Sequence, residues 1–562
     1  MESTSLRLLG VELARVEALG STFFGFEEFL SALALMVLAW TIADTRYRFR
    51  LKTAPIPLET ITFPTIAVVG VLILLTDLWQ AERWFVPVGY LLTPALWRAI
   101  LAGTFLSVFL TWLWYGFVRP PRFSARNASR FLRELYRAVL AGSPAELAIL
   151  ADELVRSMPE LVRLSFAPTM SMRAEASRLE PPVARPVEAE IANQVLLLIA
   201  DVRFCRVVVA SAPVMAHALF REVTKQERYG IPIETFARNL VSAAVENPES
   251  FLYHETEGYF TGLLGYHKPL SHAIFGDPMI IHTIPRLFDA DYRMRREWNV
   301  DQWNGYARAV LVALRSHTAA KRAPEPFAIL TAIGNLPEVT QRIPELRGDP
   351  ERGWRGDSHE RVRVVSQFVN DALELLDQVP LSPAQARGLM KAAHGFDIYS
   401  RLAKLIVELV EEVAWVDRPR DLCWSLQHNA VWGEIFGRLQ TPGAAARLVH
   451  RIALRAILRE IARMREFANY KGARLLALAI NIAWITSTGK RSEDEVDWFY
   501  RALKSWVREN FARLYAENPE IARASLVESF EFDPARNFIV RTDRADGLRL
   551  HSRRMMFRVN PL

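Results

Sequence analysis

Apolar residues are concentrated in the first 118 positions of this chain, in three runs separated by polar punctuation. FLSALALMVLAWTIA occupies Phe29–Ala43 between Glu28 and Asp44, and ITFPTIAVVGVLILLT occupies Ile61–Thr76 between Glu59 and Asp77. AILAGTFLSVFLTWLWYGFV, Ala99–Val118, carries no charge. A bilayer span takes roughly 20 apolar residues, with about 17 as a working minimum. The third run meets that alone. The first two reach it with flanking turns, where Trp40, Trp79, Trp84 and Tyr90 offer interfacial anchors. The pattern therefore predicts transmembrane helices at about 26–44, 60–79 and 97–118, forming a membrane domain over residues 1–118. The first run lacks a basic leader and is followed by arginines, which argues against a cleaved signal peptide.

Charge then sets an expected orientation. Arg46, Arg48, Arg50 and Lys52 follow the first run, and Arg119, Arg122, Arg126, Arg130, Arg133 and Arg137 follow the third. Between the second and third runs lie only Arg83 and Arg98. Basic residues favour the cytoplasmic side, so the expected topology is an external N-terminus with everything after Val118 inside. The expected location is the inner, cytoplasmic membrane of a bacterium-like cell.

Beyond residue 118 the apolar positions take helical spacing. SPAE (Ser143–Glu146) and SPAQ (Ser382–Gln385) read as helix starts, with a capping serine, a first-turn proline and an acid or amide three residues on. In Pro442–Phe467 the residues Leu448, Ile452, Ile457 and Ile461 share one face and arginines take much of the rest. The Pro-rich stretch EPPVARP (Glu180–Pro186) reads as a linker, giving membrane-proximal helices over 119–187 and a helical cytoplasmic body over 188–527. ESFEF and NFIVRT flank Asp533-Pro534-Ala535-Arg536, which predicts a small β-hairpin opening the last segment, 528–562. The fold class expected is mainly α: three N-terminal transmembrane helices, a large α-helical cytoplasmic region and a small C-terminal β-hairpin.

Composition narrows function more than fold. The formal net charge is +7, and 60 of the 69 basic residues are arginine, whose planar fork suits phosphate. The tail carries Arg541, Arg549, Arg553, Arg554 and Arg558, but no nucleic-acid-binding motif accompanies them, so a solvated basic tail is the preferred reading and nucleic acid is not an expected partner. Two cysteines, Cys205 and Cys423, are too few and too far apart for a disulfide framework or a cysteine zinc site. No Walker A loop, GxGxxG turn, GxSxG elbow, HExxH or EF-hand sequence is present.

One stretch is dense in side chains able to do chemistry. Phe251–His282 holds four of the eleven histidines, and its candidate metal ligands are His254, Glu255, Glu257, His267, His272, Asp277 and His282. No histidine pair there has the spacing of three or four that places two ligands on one helical face. Its glycines and two Xaa-Pro bonds argue for irregular backbone. The favoured reading is an interface or core segment in which Tyr253, Tyr259, Phe260, Tyr266 and Phe275 supply contact area. No cofactor is implied strongly, and no catalytic residue is assigned.

Three functions remain in view. The leading one is a membrane-anchored cytoplasmic sensor, scaffold or interaction protein, with the bilayer and a cytoplasmic protein or further copies of itself as partners. The second is an oligomeric pore-forming or membrane-perturbing effector of stress or phage defence, with Thr65, Thr104, Ser107 and Thr111 lining the pore. The third is a membrane-tethered metal-dependent enzyme using the His254–His282 cluster.

Overall fold

A computed structural model describes residues 6–8, 11–15, 24–42, 44–82, 84–88, 94–167, 186–255, 260–261, 265–266, 269–320, 324–347, 357–391, 397–437, 443–483, 496–543 and 553–561. The chain is mainly helical and forms two compact units, Met1–Phe236 and Ala237–Leu562.

In the first unit, α1 (Phe26–Ile42) is followed by the short α2 (Thr45–Lys52), by α3 (Leu58–Ala81) and by α4 (Pro94–Leu113), which runs on as a π-helical turn, Trp114–Val118. Leu58–Ala81 and Ala95–Val118 are long and apolar enough to cross a membrane, with mean hydropathies of 2.1 and 1.6. So two helices meet that measure where three were expected. α1 is 17 residues long, and Asp44 starts a new helix by accepting from the Thr45 amide. Helices Val202–Ser211 and Pro213–Lys225 are apolar enough only as a pair, and the break between them bends the path by 104°.

α1, α3 and α4 pack through Phe29, Met36, Ile66, Val69, Ile73, Leu101 and Phe105. Gly70 permits this contact, since a Cβ there would lie 2.7 Å from the Phe29 ring. Their outward positions are apolar too: Leu35 is 68% exposed, Val68 57% and Val71 56%. At one end, strands Leu6–Leu8 (β1) and Val11–Arg15 (β2) pair antiparallel with each other, and β2 pairs with Phe85–Val88 (β3). Asp77 holds that end together by accepting from Arg98 Nη2 at 2.6 Å and from the Phe26 amide at 2.8 Å.

Helices α5 (Ala128–Ala141), α6 (Pro144–Leu154) and α7 (Met158–Leu164) follow. Ser143 and Glu146 form the reciprocal cap that SPAE predicts, and Ser382 exchanges equivalent bonds with Gln385. Most of the linker predicted at Glu180–Pro186 lies outside the described residues.

The second unit buries its apolar residues inward. Trp298, Trp303 and Tyr306 form an aromatic nest with centroids 4.8–5.6 Å apart. Helix Ala444–Arg463 buries Leu448, Ile452, Ile457 and Ile461, as its spacing predicts. A long π-helical stretch, Ser425–Gly437, has two of its carbonyls capped from the helix Ser358–Asp377: Ser366 Oγ donates to Ala430 O (2.8 Å) and Asn370 Nδ2 to Glu434 O (3.1 Å). Buried Asp417 takes a two-pronged bond from Arg347 and a further one from Arg474.

Two-residue strands Phe260–Thr261 (β4) and Gly265–Tyr266 (β5) pair antiparallel, and the predicted hairpin is present as β6 (Phe530–Asp533) and β7 (Phe538–Asp543), which a further strand, β8 (Arg553–Arg558), extends to a three-stranded antiparallel sheet. Of the basic-tail residues, Arg554 and Arg558 are exposed and Arg541 is not. Arg541 is buried with its guanidinium over the Phe530 ring, while Arg554 and Arg558 lie on β8, whose alternate residues Met555, Phe557 and the following Val559 face inward; Arg553 opens the strand. Arg549 lies outside the described residues.

Candidate functional site

The histidine-rich stretch does not assemble one shared site from its described members. His254 ends a short helix and faces Glu249, with Nε2 3.1 Å from the carboxylate. Glu255 accepts from the amides of Leu270 and Ser271 (3.2 and 3.0 Å), and Asp277 caps helix Pro278–Thr283 through the Met279 amide. His282 Nδ1 lies 2.9 Å from Glu325 O, and its ring stacks on Phe327. His272 packs against Gly276. Among the described residues, no three His, Cys, Asp or Glu side chains converge as metal ligands. Glu257, Tyr259 and His267 lie outside them.

The aromatic residues of the same stretch divide between core and backbone pairing. Phe275 is buried and stacks on Phe288 at 5.3 Å. Tyr253 donates to Val245 O at 2.6 Å and its ring lies where a side chain at Gly305 would go; burial pushes its hydroxyl up to about 12. Phe260 and Tyr266 are directly opposed in a two-residue antiparallel pair.

A second cluster lies at the far end of the apolar helices. In α2, TRYRFRLK, the spacing of four puts Arg46 and Arg50 on one face. α6 presents Asp152 and Glu153 to that face. Arg50 donates through Nε and Nη2 to the Glu153 carboxylate at 2.8 and 2.5 Å, a two-pronged geometry that fixes direction as well as distance. Its remaining nitrogen, Nη1, donates to Gly116 O at 3.0 Å, inside the π-helical turn that ends α4. Arg46 bonds Asp152 at 2.7 Å. Both Arg50 and Glu153 are buried, and the Glu153 bonds raise the Arg50 pKa against the opposing cost of burial.

The surroundings hold the same joint. Phe49 packs edge-on against Phe131, which packs against Phe123. Asn127 Nδ2 donates to Thr53 O at 2.6 Å, and Arg130 Nη2 to Pro55 O at 2.6 Å, so the turn between α2 and α3 is held by α5. Tyr47 stacks on Phe117 at 4.4 Å. One guanidinium thus joins three elements: the helix after the first apolar segment, the end of the third, and the helical bundle that follows. A buried ion pair of this kind is poor evidence of net stability but strongly penalises any rearrangement that separates the partners.

Sequence reasoning counted Arg50 only as one of several cytoplasmic charges and did not single out Glu153. The available signal was weak: Glu153 interrupts the buried series Leu147, Leu150, Ala151 and Leu154 of α6. The predicted pore-lining hydroxyls are spent locally in part, since Thr104, Ser107 and Thr111 donate to the carbonyls of Ile100, Gly103 and Ser107 within α4. Cys205 and Cys423 are buried free thiols, and burial pushes both up in pKa. No family model, curated protein or solved structure matches the chain.

Proposed function

We propose that this chain is a multi-pass membrane protein whose helical body senses or binds a cytoplasmic protein partner, and whose spans transmit the response instead of merely tethering it. The observation that carries the reading is the Arg50 clamp on Glu153 and Gly116 O. A passive anchor works through any flexible linker, whereas here charge, aromatic packing and loop carbonyls all fix the apolar helices to the bundle after them.

The three-span, N-out arrangement has its own support. Pairing of β2 with β3 places the N-terminal segment at the same end as the α3–α4 connection. α2 lies at the other end, with α5 and α6. α1 therefore runs between the two ends, and its outward Leu35, Val37 and Leu38 suit hydrocarbon. Arg46, Arg48, Arg50, Lys52 and the arginines after Val118 gather at the α2 end, the end that the basic-residue bias assigns to the cytoplasm of an inner membrane.

Single-cysteine labelling in cells tests the orientation. A membrane-impermeant maleimide should modify Ser3→Cys in intact cells and Ser382→Cys only after permeabilisation; the reverse pattern overturns it. Span replacement tests transmission. A chain with residues 24–118 exchanged for an unrelated three-span anchor should fail to complement a gene deletion, and full complementation would reduce the spans to a tether.

A further inference from the structure

Among the described residues, the C-terminal sheet is open on its β8 side. Its strand order is β6-β7-β8, so β8 is an edge. Successive backbone amides of a strand point in opposite directions. The Val559 amide donates inward to Asn537 O and the Asn560 amide outward to Arg508 O. Counting back, the amides of Arg554, Met556 and Arg558 point outward, and among the described residues none has a hydrogen-bond partner on that side. Exposed edges of this sort are templates for another strand.

Beside this edge runs a groove of about 530 Å³ lined by Leu503, Val507, Ile539, Met555 and Phe557, with Met556 also contributing to its wall and Lys504 and Arg508 as its charged members. By register Ile539, Met555 and Phe557 share one face of the sheet, the face that the inward side chains of a fourth strand would continue. Among the described residues no acidic side chain lines the groove, and the Arg508 guanidinium sits over the Phe557 ring. On the opposite, solvent face of β8, Arg554 and Arg558 are exposed on either side of Met556, which is 63% exposed.

We propose that β8 and this groove receive an extended peptide segment of a partner protein as a fourth antiparallel strand, apolar on its groove-facing positions and acidic on its outward ones. The inference rests on the partner-binding half of the proposed function and is independent of the membrane topology. Charge selects this occupant over a second copy of the chain. Antiparallel self-pairing centred on Met556 would set Arg554 directly opposite Arg558 of the other copy, and like charges so placed repel. Carboxylates at the same positions attract, main-chain bonds supply affinity, and the groove supplies side-chain selectivity.

The test uses the full chain in mild detergent and a fluorescent peptide of alternating glutamate and valine, read by anisotropy. The peptide should bind saturably. A lysine–valine peptide should bind at least about tenfold more weakly, and so should a glutamate–valine peptide whose strand-pairing amides are N-methylated. The double variant Arg554→Glu/Arg558→Glu, at exposed positions that leave the core untouched, should reverse the preference between acidic and basic peptides. No binding of the acidic peptide, equal binding of its N-methylated form, or an unchanged preference in the charge-reversed variant would each overturn the proposal. Ready disulfide cross-linking of Met556→Cys between two copies without peptide would also overturn it, by giving the edge to self-association. Any of these failures leaves the labelling test of membrane orientation unaffected.

Discussion

The apolar helices of the first unit and the helices of the second use the same aliphatic side chains in opposite ways. Among α1, α3 and α4, leucine and valine face outward as well as inward, and the interior is a narrow seam of Phe29, Val69, Ile73 and Phe105. In the helix Ala444–Arg463 the aliphatic face is buried and arginine covers the rest. Outward leucine costs free energy in water and nothing in hydrocarbon. The first pattern suits a hydrocarbon surround and the second suits water. The buried Arg50–Glu153 pair stands where the first pattern gives way to the second along the chain.

Breaking that pair should have the largest effect. Glu153→Ala leaves Arg50 buried without its carboxylate and should destabilise the first unit by about 3–5 kcal/mol. The joint replacement Arg50→Met/Glu153→Leu should restore stability to within about 1 kcal/mol, because packing substitutes for the ion pair. Chemical denaturation in detergent, followed by tryptophan fluorescence, checks both. Restored stability with lost complementation would separate the coupling role of the pair from its structural one.

A lysine on the outward face sharpens the contrast between solvents. Val71 lies midway along α3, and Val71→Lys should raise the cost of insertion by about 3 kcal/mol in a translocon assay. Phe467, 74% exposed in the second unit, should accept lysine within about 0.5 kcal/mol by thermal melting. Similar tolerance at the two positions would remove the argument for a bilayer around α3.

Acid should act on the second unit through His450, which is 4% exposed, packs against the Phe436 ring and has no partner for its buried Nε2 among the described residues. Burial pulls its pKa down to about 4 from an ordinary 6.5. Below pH 6.5 the unfolded chain takes up a proton that the folded one refuses, so stability falls as pH drops and levels off below about 4. Between pH 7 and pH 5 the loss should be about 2 kcal/mol, and His450→Leu should flatten that slope in denaturation curves. A smaller loss than at His450 is expected at a helix start. Ser143→Ala removes half of the reciprocal cap with Glu146 and should cost about 1 kcal/mol, measured as a shift in the denaturation midpoint.

Local grammar explains what could be read without coordinates. SPAE and SPAQ cap their helices, and the Leu448–Ile461 series is a buried face, because capping and helical periodicity depend on residues a few positions apart. The turn at Asp533–Arg536 likewise lies between adjacent strands. Long-range partnerships leave no such trace. Arg50 and Glu153 are 103 positions apart, and each on its own reads as an ordinary surface charge. β8 was hidden because RRMMFR offers only a short alternation among arginines, and its strand character comes from pairing with β7. In the histidine-rich stretch the ligand-type residues that are described have separate partners: Glu255 and Asp277 serve as caps on successive short helices, and His254 and His282 face different neighbours.

The central claim, that the apolar helices and the bundle after them are mechanically joined through Arg50, is tested most directly by hydrogen exchange of the nanodisc-embedded protein. Wild type and Glu153→Ala should be compared over residues 45–55, 114–118 and 123–164. Faster exchange is expected in all three regions together, because one guanidinium ties them. Faster exchange confined to the peptide around residue 153, with α2 and the π-helical turn unchanged, would contradict it.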